Sequence, residues 1–214
     1  MARLRDRADA GTRLARLVEP LVGKDEAVVL GVPRGGVIVG RALASALGVA
    51  LDVLVVRKLG VPGYEEFGFG ALGEGGAVVI DQATVAALGL SEGDIAAVEA
   101  AERRELERRV ALYGQARSRV DVRGKAVVLA DDGIATGGTI RAGIAVCRAL
   151  GAGSVVVAVG VAPPEVMESL VHEADGAVAV LVPATMHSVG EWYEDFTQTS
   201  DRDVLEALSG PVSF

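Results

Sequence analysis

Apolar residues recur along the chain in two alternating rhythms. Short runs at 27–30, 51–56, 77–80, 127–130, 154–159 and 177–182, apolar but for Asp52 and Ser154, are four to six residues long. Runs of that length, rich in valine, predict strands buried on both faces. Between them the spacing changes to three and four. Residues 8–22 carry Leu14, Leu17, Val18 and Leu21 on one face and predict a helix ending near Gly23. A second helix is expected over 37–47, closed by Gly48, and another over 139–150. Pro163 and Pro164 open a short one containing Val166, Met167 and Leu170. The longest, 91–116, is capped by Ser91, with Ile95, Val98, Leu106, Val110 and Tyr113 along one stripe. Strands alternating with helices predict an α/β fold, a parallel sheet with helices on both faces, as a single domain over 1–214. Ligands of such sheets bind beyond the carboxyl ends of the strands. The turns at 31–36, 57–76 and 131–139 all follow strand ends, so they can converge on one crevice.

Two stretches keep neither rhythm. From Gly60 to Gly76 there are seven glycines in seventeen residues, with Pro62, Tyr64 and Phe67 among them. An aperiodic segment of this length in a compact domain is expected to be a functional lid, about 57–76. The tail from Pro183 gathers Trp192, Tyr193 and Phe196 beside Glu191, Glu194 and Asp195. It reads either as a cover whose rings pack on the core or as a separate hood, about 183–214.

Composition narrows the classes. The 214 residues are 50% hydrophobic with few aromatics, enough to bury a full core. A net charge of -8 argues against a nucleic-acid surface, which needs a basic stripe. It does not argue against a small anion, because a local nest of amides outweighs a distant field. The single cysteine, Cys147, leaves no internal disulfide and is expected as a buried thiol. No apolar run approaches the ~20 residues of a membrane span, and MARLRDRADAG has no signal-peptide centre. Together these read as a soluble cytoplasmic protein. The charged helix 91–116 is expected as a solvated face or as the flank of a homodimer. Its Glu99–Arg103 and Glu105–Arg109 pairs are worth about a few tenths of a kcal/mol each.

The chemistry concentrates in VVLADDGIATGGTI, residues 127–140. A buried strand runs straight into two carboxylates, and a Gly/Thr-rich turn then opens a helix. The first-turn amides have no partner within the helix and the dipole favours an anion, so the turn suits a phosphate. Asp131 and Asp132 repel a phosphate and suit hydroxyls or a metal ion. A ligand carrying both a phosphate and a diol satisfies the two halves together. Upstream, GVPRGG at 31–36 supplies glycines that admit close backbone approach and one guanidinium, on Arg34, whose fork fits phosphate oxygens. Taken alone it is equally a βα turn with a solvated arginine.

The 127–140 wording resembles the phosphoribosyl-pyrophosphate signature of the type I phosphoribosyltransferases, over about thirteen residues. That resemblance implies a magnesium-dependent transfer of the 5-phosphoribosyl group to a small nitrogenous acceptor such as a nucleobase, with release of pyrophosphate. It implies that Ala135, Thr136, Gly137, Gly138 and Thr139 grip the 5′-phosphate. Asp131 and Asp132 would hold the ribose hydroxyls, steady the cationic sugar and take part in metal binding. Arg34, Gly35 and Gly36 would hold the pyrophosphate, with a non-proline cis peptide preceding Arg34. Lys58, with Arg57, would meet the same group from the lid, whose usual Ser-Tyr pair is absent here. Trp192 and Tyr193 would stack on the acceptor and Asp195 would help hold Mg2+.

Other patterns carry less. GFGALG at 68–73 fits the dinucleotide formula G-x-G-x-x-G but neither follows an apolar strand nor opens a helix. His172 and His187 make no recognisable metal pair. The serious rival is a regulator that senses phosphoribosyl pyrophosphate without turnover. Such proteins tend to lose the pyrophosphate loop or the lid cation, and both are present here.

Overall fold

The computed structural model describes residues 3–22, 27–116 and 119–210, the side chain of Glu66 apart. Its centre is a parallel sheet of five strands: β1 (Ala27–Gly31), β2 (Ala50–Val53), β6 (Ala126–Asp131), β7 (Ser154–Val161) and β8 (Gly176–Leu181). They lie in the order β2-β1-β6-β7-β8. β1 registers Val28 against Val127 of β6 and against Ala50 of β2.

Both faces are covered, as the unbroken apolar runs require. On one face Val29, Val128, Ala130 and Ala158 meet Leu14 of α1 (Arg7–Val18) and Val39 and Leu43 of α2 (Gly35–Leu47). On the other, Val127, Leu129, Val155 and Val157 meet Ile140 and Ile144 of α5 (Gly138–Ala149) and Leu170 of α6 (Pro164–Glu173). Successive strand residues thus serve opposite cores, the period of two expected of a pleated strand. Cys147 is fully buried in α5, and burial pushes its thiol up to about 12. Among the described residues no helix is long and apolar enough to cross a membrane.

The run 51–56 is not one strand. β2 stops at Val53, Leu54 and Val55 cross out of the sheet, and β3 (Val56–Val61) begins a second one. The crossing residues are apolar because each is buried, Leu54 at the α5 face and Val55 in a third core. The stretch 57–76 is likewise folded. β3, β4 (Tyr64–Gly73) and β5 (Val78–Ile80) form a three-stranded antiparallel sheet. Leu59, Val61, Phe69 and Leu72 from it are buried with Leu106 and Tyr113 of α4 (Glu92–Tyr113). The expectation of an aperiodic loop fails because glycine occupies several alternate positions. Gly60 pairs with Gly68 and Gly70 with Leu59, with register shifts between Leu59 and Val61, so glycines and a bulge together blur a period of two.

The remaining elements are local. α3 (Gln82–Leu88), which apolar spacing does not announce, is capped by Asp81 through the amides of Ala83 and Thr84. α4 starts as expected, with a capping box between Ser91 and Asp94. Its two anticipated ion pairs are both formed. α1 is shorter than expected, passing into a single 3-10 turn at Glu19–Leu21, and Gly23 lies outside the described residues. α7 (Asp201–Ser209) packs against α2 and β2. The N-terminal segment is stitched to the tail: Leu4 N–H donates to Trp192 O, and Glu194 and Asp195 N–H donate to the carbonyls of Leu4 and Arg5.

Candidate functional site

Two strand ends meet the beginnings of two helices. β6 ends at Asp131, the turn 132–137 follows, and Ile134, buried, anchors that turn by donating its N–H to Val161 O at 2.9 Å. Gly137 takes the N-cap of α5 with φ 83, a conformation other residues rarely adopt, and offers no side chain to the first-turn amides. Ala135, Thr136 and Thr139 are exposed around that opening. The turn therefore presents unsatisfied N–H groups at a helix N-terminus, the arrangement that binds phosphate. Arg141 holds the turn from behind, donating to Thr136 O at 2.7 Å while pairing with Glu173.

Next to it β1 ends at Gly31, and Val32 N–H donates to Ala130 O. The Pro33–Arg34 peptide bond is cis, at the place the resemblance implies. α2 then starts against the acidic pair. A Cβ on Gly36 would overlap the Ala130 carbonyl and lie 2.9 Å from Asp131 Cα. A Cβ on Gly35 would overlap Asp132 Oδ2 and stand 2.7 Å from Arg7 Nε. Gly35 and Gly36 are thus contact surfaces for the two aspartates.

The aspartates differ. Asp131 Oδ1 accepts the Asp132 N–H at 2.8 Å. Burial first, and the neighbouring Asp132 charge second, hold the Asp131 carboxyl well above the usual carboxylate range. Asp132 has a cation of its own: Arg7 Nε donates to Oδ2 at 2.8 Å. The Asp132 carbonyl accepts the Tyr193 hydroxyl.

Lys58 reaches this centre from the hairpin. Its stem lies over the start of α5, with Cδ 3.1 Å and Nζ 3.4 Å from where a Cβ on Gly138 would be. It lines two cavities. One, about 470 Å³, is shared with Pro33, Arg57, Glu102, Arg109 and Thr139. The other, about 500 Å³, includes Phe67, Thr136, Gly138 and Arg141. Arg57 is ion-paired with Glu102 at the wall of the first. Arg34 is exposed at the N-cap of α2, and its charge is felt at Tyr113 of α4.

Of the two readings of the tail, the rings follow the one in which they pack on the core. Tyr193 is 3% exposed and its ring tilts against Phe196 at a centroid distance of 4.9 Å, so it packs beneath the acidic pair and presents no open face for stacking. Trp192 is half-buried and donates its indole N–H to Glu191. Asp195 is exposed and turned into a local loop, where the Thr197 hydroxyl and amide hold its carboxyl below the usual range. Among the described residues no three acidic, histidine or cysteine side chains stand together to hold a metal ion. Asp195 therefore forms no ligand set with Asp131 and Asp132. His187 is exposed and His172 lies on α6.

Tyr193→Phe is expected to cost about 1–3 kcal/mol, because the Asp132 carbonyl loses its donor inside the protein. Urea unfolding checks it through an unchanged slope and a lower midpoint.

Arg7, Glu102 and Arg141 have no signal of their own in the sequence. Each is a charged residue on a helix whose partner in the site region is fixed by tertiary packing.

A family model described as phosphoribosyl transferase domain matches residues 4–181. Two proteins of Mycobacterium tuberculosis, one from strain CDC 1551 / Oshkosh and one from strain H37Rv, carry the provisional name phosphoribosyl transferase. Each is 45% identical to this chain over 206 residues. The match covers 95% of the chain and 46% of either protein, so the chain spans about half the length of these relatives. The crystal structure of TT1426 from Thermus thermophilus superposes with a TM-score of 0.90 at 41% identity, covering 97% of this chain and 98% of that one.

Proposed function

Since this chain belongs to the phosphoribosyltransferase family, we propose that it transfers the 5-phosphoribosyl group of phosphoribosyl pyrophosphate to a nitrogenous acceptor, a nucleobase first among them. The observation that carries the reading is the direct packing of Gly35 and Gly36 on Asp132 and Asp131, with Lys58 laid over the start of α5. A phosphate on the α5 amides, a diol on the aspartates and a pyrophosphate toward Arg34 and Lys58 then belong to a single ligand. As pyrophosphate departs, positive charge develops on the sugar. The work of the site is to neutralise the leaving group, hold the sugar rigidly and exclude water.

Arg34, Lys58 and the amides of Gly35 and Gly36 face the leaving group, with Arg57 and Arg109 behind them. Asp131 and Asp132 orient the ribose and stabilise its cation. Hairpin residues 57–76 supply the cover over the sugar. Of Trp192 and Tyr193, Trp192 keeps the exposed area that a planar acceptor needs.

An all-protein magnesium cage is not what the side chains offer. Mg2+ commonly takes one or two carboxylates and completes its shell with water and substrate phosphates. Asp131 and Asp132 beside a pyrophosphate fit that pattern, and when bound the ion supplies further neutralisation of the leaving group.

The test is pyrophosphate release from phosphoribosyl pyrophosphate and Mg2+ across a panel of purines, pyrimidines and small amines. Release with one acceptor class is the expected result. Tight ligand binding with no release from any acceptor would replace the transferase by a sensor of the same ligand.

A further inference from the structure

The strongest unexplained contact at the site is made by a residue far upstream of the 127–140 motif. Arg7 is the first residue of α1, and its side chain is only 11% exposed. Three groups hold it. Nε donates to Asp132 Oδ2 at 2.8 Å, Nη1 donates to Thr197 O at 2.8 Å, and the guanidinium lies 4.0 Å over the centre of the Phe196 ring. A guanidinium fixed in plane by a ring beneath and a carbonyl at one end has little rotational freedom left. Its remaining hydrogen bond sets the plane of the carboxylate it meets. The fixed oxygen, Oδ2, is the one that lies against Gly35, so Asp132 keeps its accepting capacity on Oδ1. A second effect is electrostatic. Asp131 and Asp132 are adjacent carboxylates in a confined place, and one guanidinium beside them offsets part of their repulsion.

We infer that Arg7 is a positioning residue for the ribose diol: it orients the Asp132 carboxylate so that one oxygen is presented to a sugar hydroxyl. The inference rests on the transferase reading, and deepens it by assigning the diol subsite a third member outside the 127–140 motif. Arg7 touches no reacting atom and acts through Asp132. Phe196 and Thr197 act one step further back, by fixing Arg7.

The distinguishing measurement compares two sugar phosphates that differ only in the diol. Calorimetry with ribose 5-phosphate and with 2,3-dideoxyribose 5-phosphate is run on the wild-type chain, Arg7→Met and Arg7→Lys. Arg7→Met is expected to lose about tenfold or more in affinity for ribose 5-phosphate, the scale of a charge-assisted hydrogen bond. Its affinity for the dideoxy compound stays at the wild-type value. Arg7→Lys recovers part of the loss, because it keeps the charge without the planar fork. Phe196→Leu, which removes the ring but no charge, is expected to give a smaller loss with the same dependence on the diol. Equal losses for both sugar phosphates would reduce Arg7 to a packing role and overturn the assignment. So would no loss for either. Failure of the wild-type chain to bind phosphoribosyl pyrophosphate or ribose 5-phosphate is a different result. It removes the transferase reading, and the Arg7 assignment falls with it.

Discussion

Gly36→Ala is expected to cost the fold about 1–3 kcal/mol and binding of phosphoribosyl pyrophosphate about a hundredfold or more. The atoms that an added Cβ would meet are the Ala130 carbonyl and Asp131 Cα, both main chain. No side-chain rotation relieves that overlap. Either α2 moves off β6 or the strand end carrying the aspartates shifts, and both displace the pyrophosphate loop from the diol subsite. Gly35→Ala is the informative contrast. Its Cβ would meet the Asp132 carboxylate and the Arg7 guanidinium, which are side chains, so the overlap is relieved by breaking their ion pair without moving main chain. Binding is therefore expected to fall as far as in Gly36→Ala while stability falls less. Thermal unfolding beside ligand titration separates the two, at about 2–4 °C per kcal/mol for a chain of this length. Unchanged ligand affinity in both variants would show that the GVPRGG turn plays no part in the site.

Asp131→Asn is expected to make the protein more stable and less able to bind. The Asp131 carboxyl is held above the usual carboxylate range by burial and by Asp132. The folded state thus keeps its proton more firmly than the unfolded chain does. Below the unfolded value of about 4 both states are protonated and the group costs nothing. As pH rises from there through the folded value, the unfolded chain ionises more readily and stability is lost, by about 1.4 kcal/mol for each unit of displacement. Asparagine keeps an oxygen to accept the Asp132 N–H and cannot ionise. Its advantage in melting temperature is expected to be absent at the acid end, to grow as pH rises and to level off above the folded value. Above the folded value, where the wild-type carboxyl is ionised, phosphoribosyl pyrophosphate affinity is expected to fall about 10–100-fold, the cost of removing a charged acceptor from a sugar hydroxyl. A melting advantage independent of pH would contradict the assignment of the penalty to this carboxyl.

The parallel sheet was legible because its evidence is local. Val127–Leu129 and Val155–Val157 are apolar without interruption since both faces of β6 and β7 are covered. The phosphate turn was legible for the same reason: the strand, the aspartates, Gly137 and the helix start are contiguous. The hairpin 56–73 was hidden, because glycines sit where polar residues would have shown the alternation. Leu54 and Val55 disguised a change of sheet as the middle of a strand, since burial is all that sequence registers and they are buried on both sides of the crossing. α3 had a start signal in Asp81, but seven residues give too little periodicity to read. At the site, the misplaced residues were those whose role depends on distant packing. Tyr193 read equally as a packed or a stacking ring because its neighbours are charged, and it is pinned under Asp132. Asp195 looked like a ligand, yet its own loop uses it. Arg7 showed nothing, because its partner lies 125 residues away.

The stitching of the N-terminal segment to the tail has a bearing on how the protein comes into being. Arg7 and Thr197, which hold each other across the acidic pair, are 190 residues apart. On the ribosome the sheet, the turn after β6 and the hairpin can be complete while Arg7, already made, still lacks the Phe196 ring and the Thr197 carbonyl that fix it beside Asp132. A nascent chain halted before residue 197 would carry every residue of the 127–140 motif and still lack the carbonyl that holds one end of Arg7. The packing around Arg7 is thereby completed only when the tail emerges.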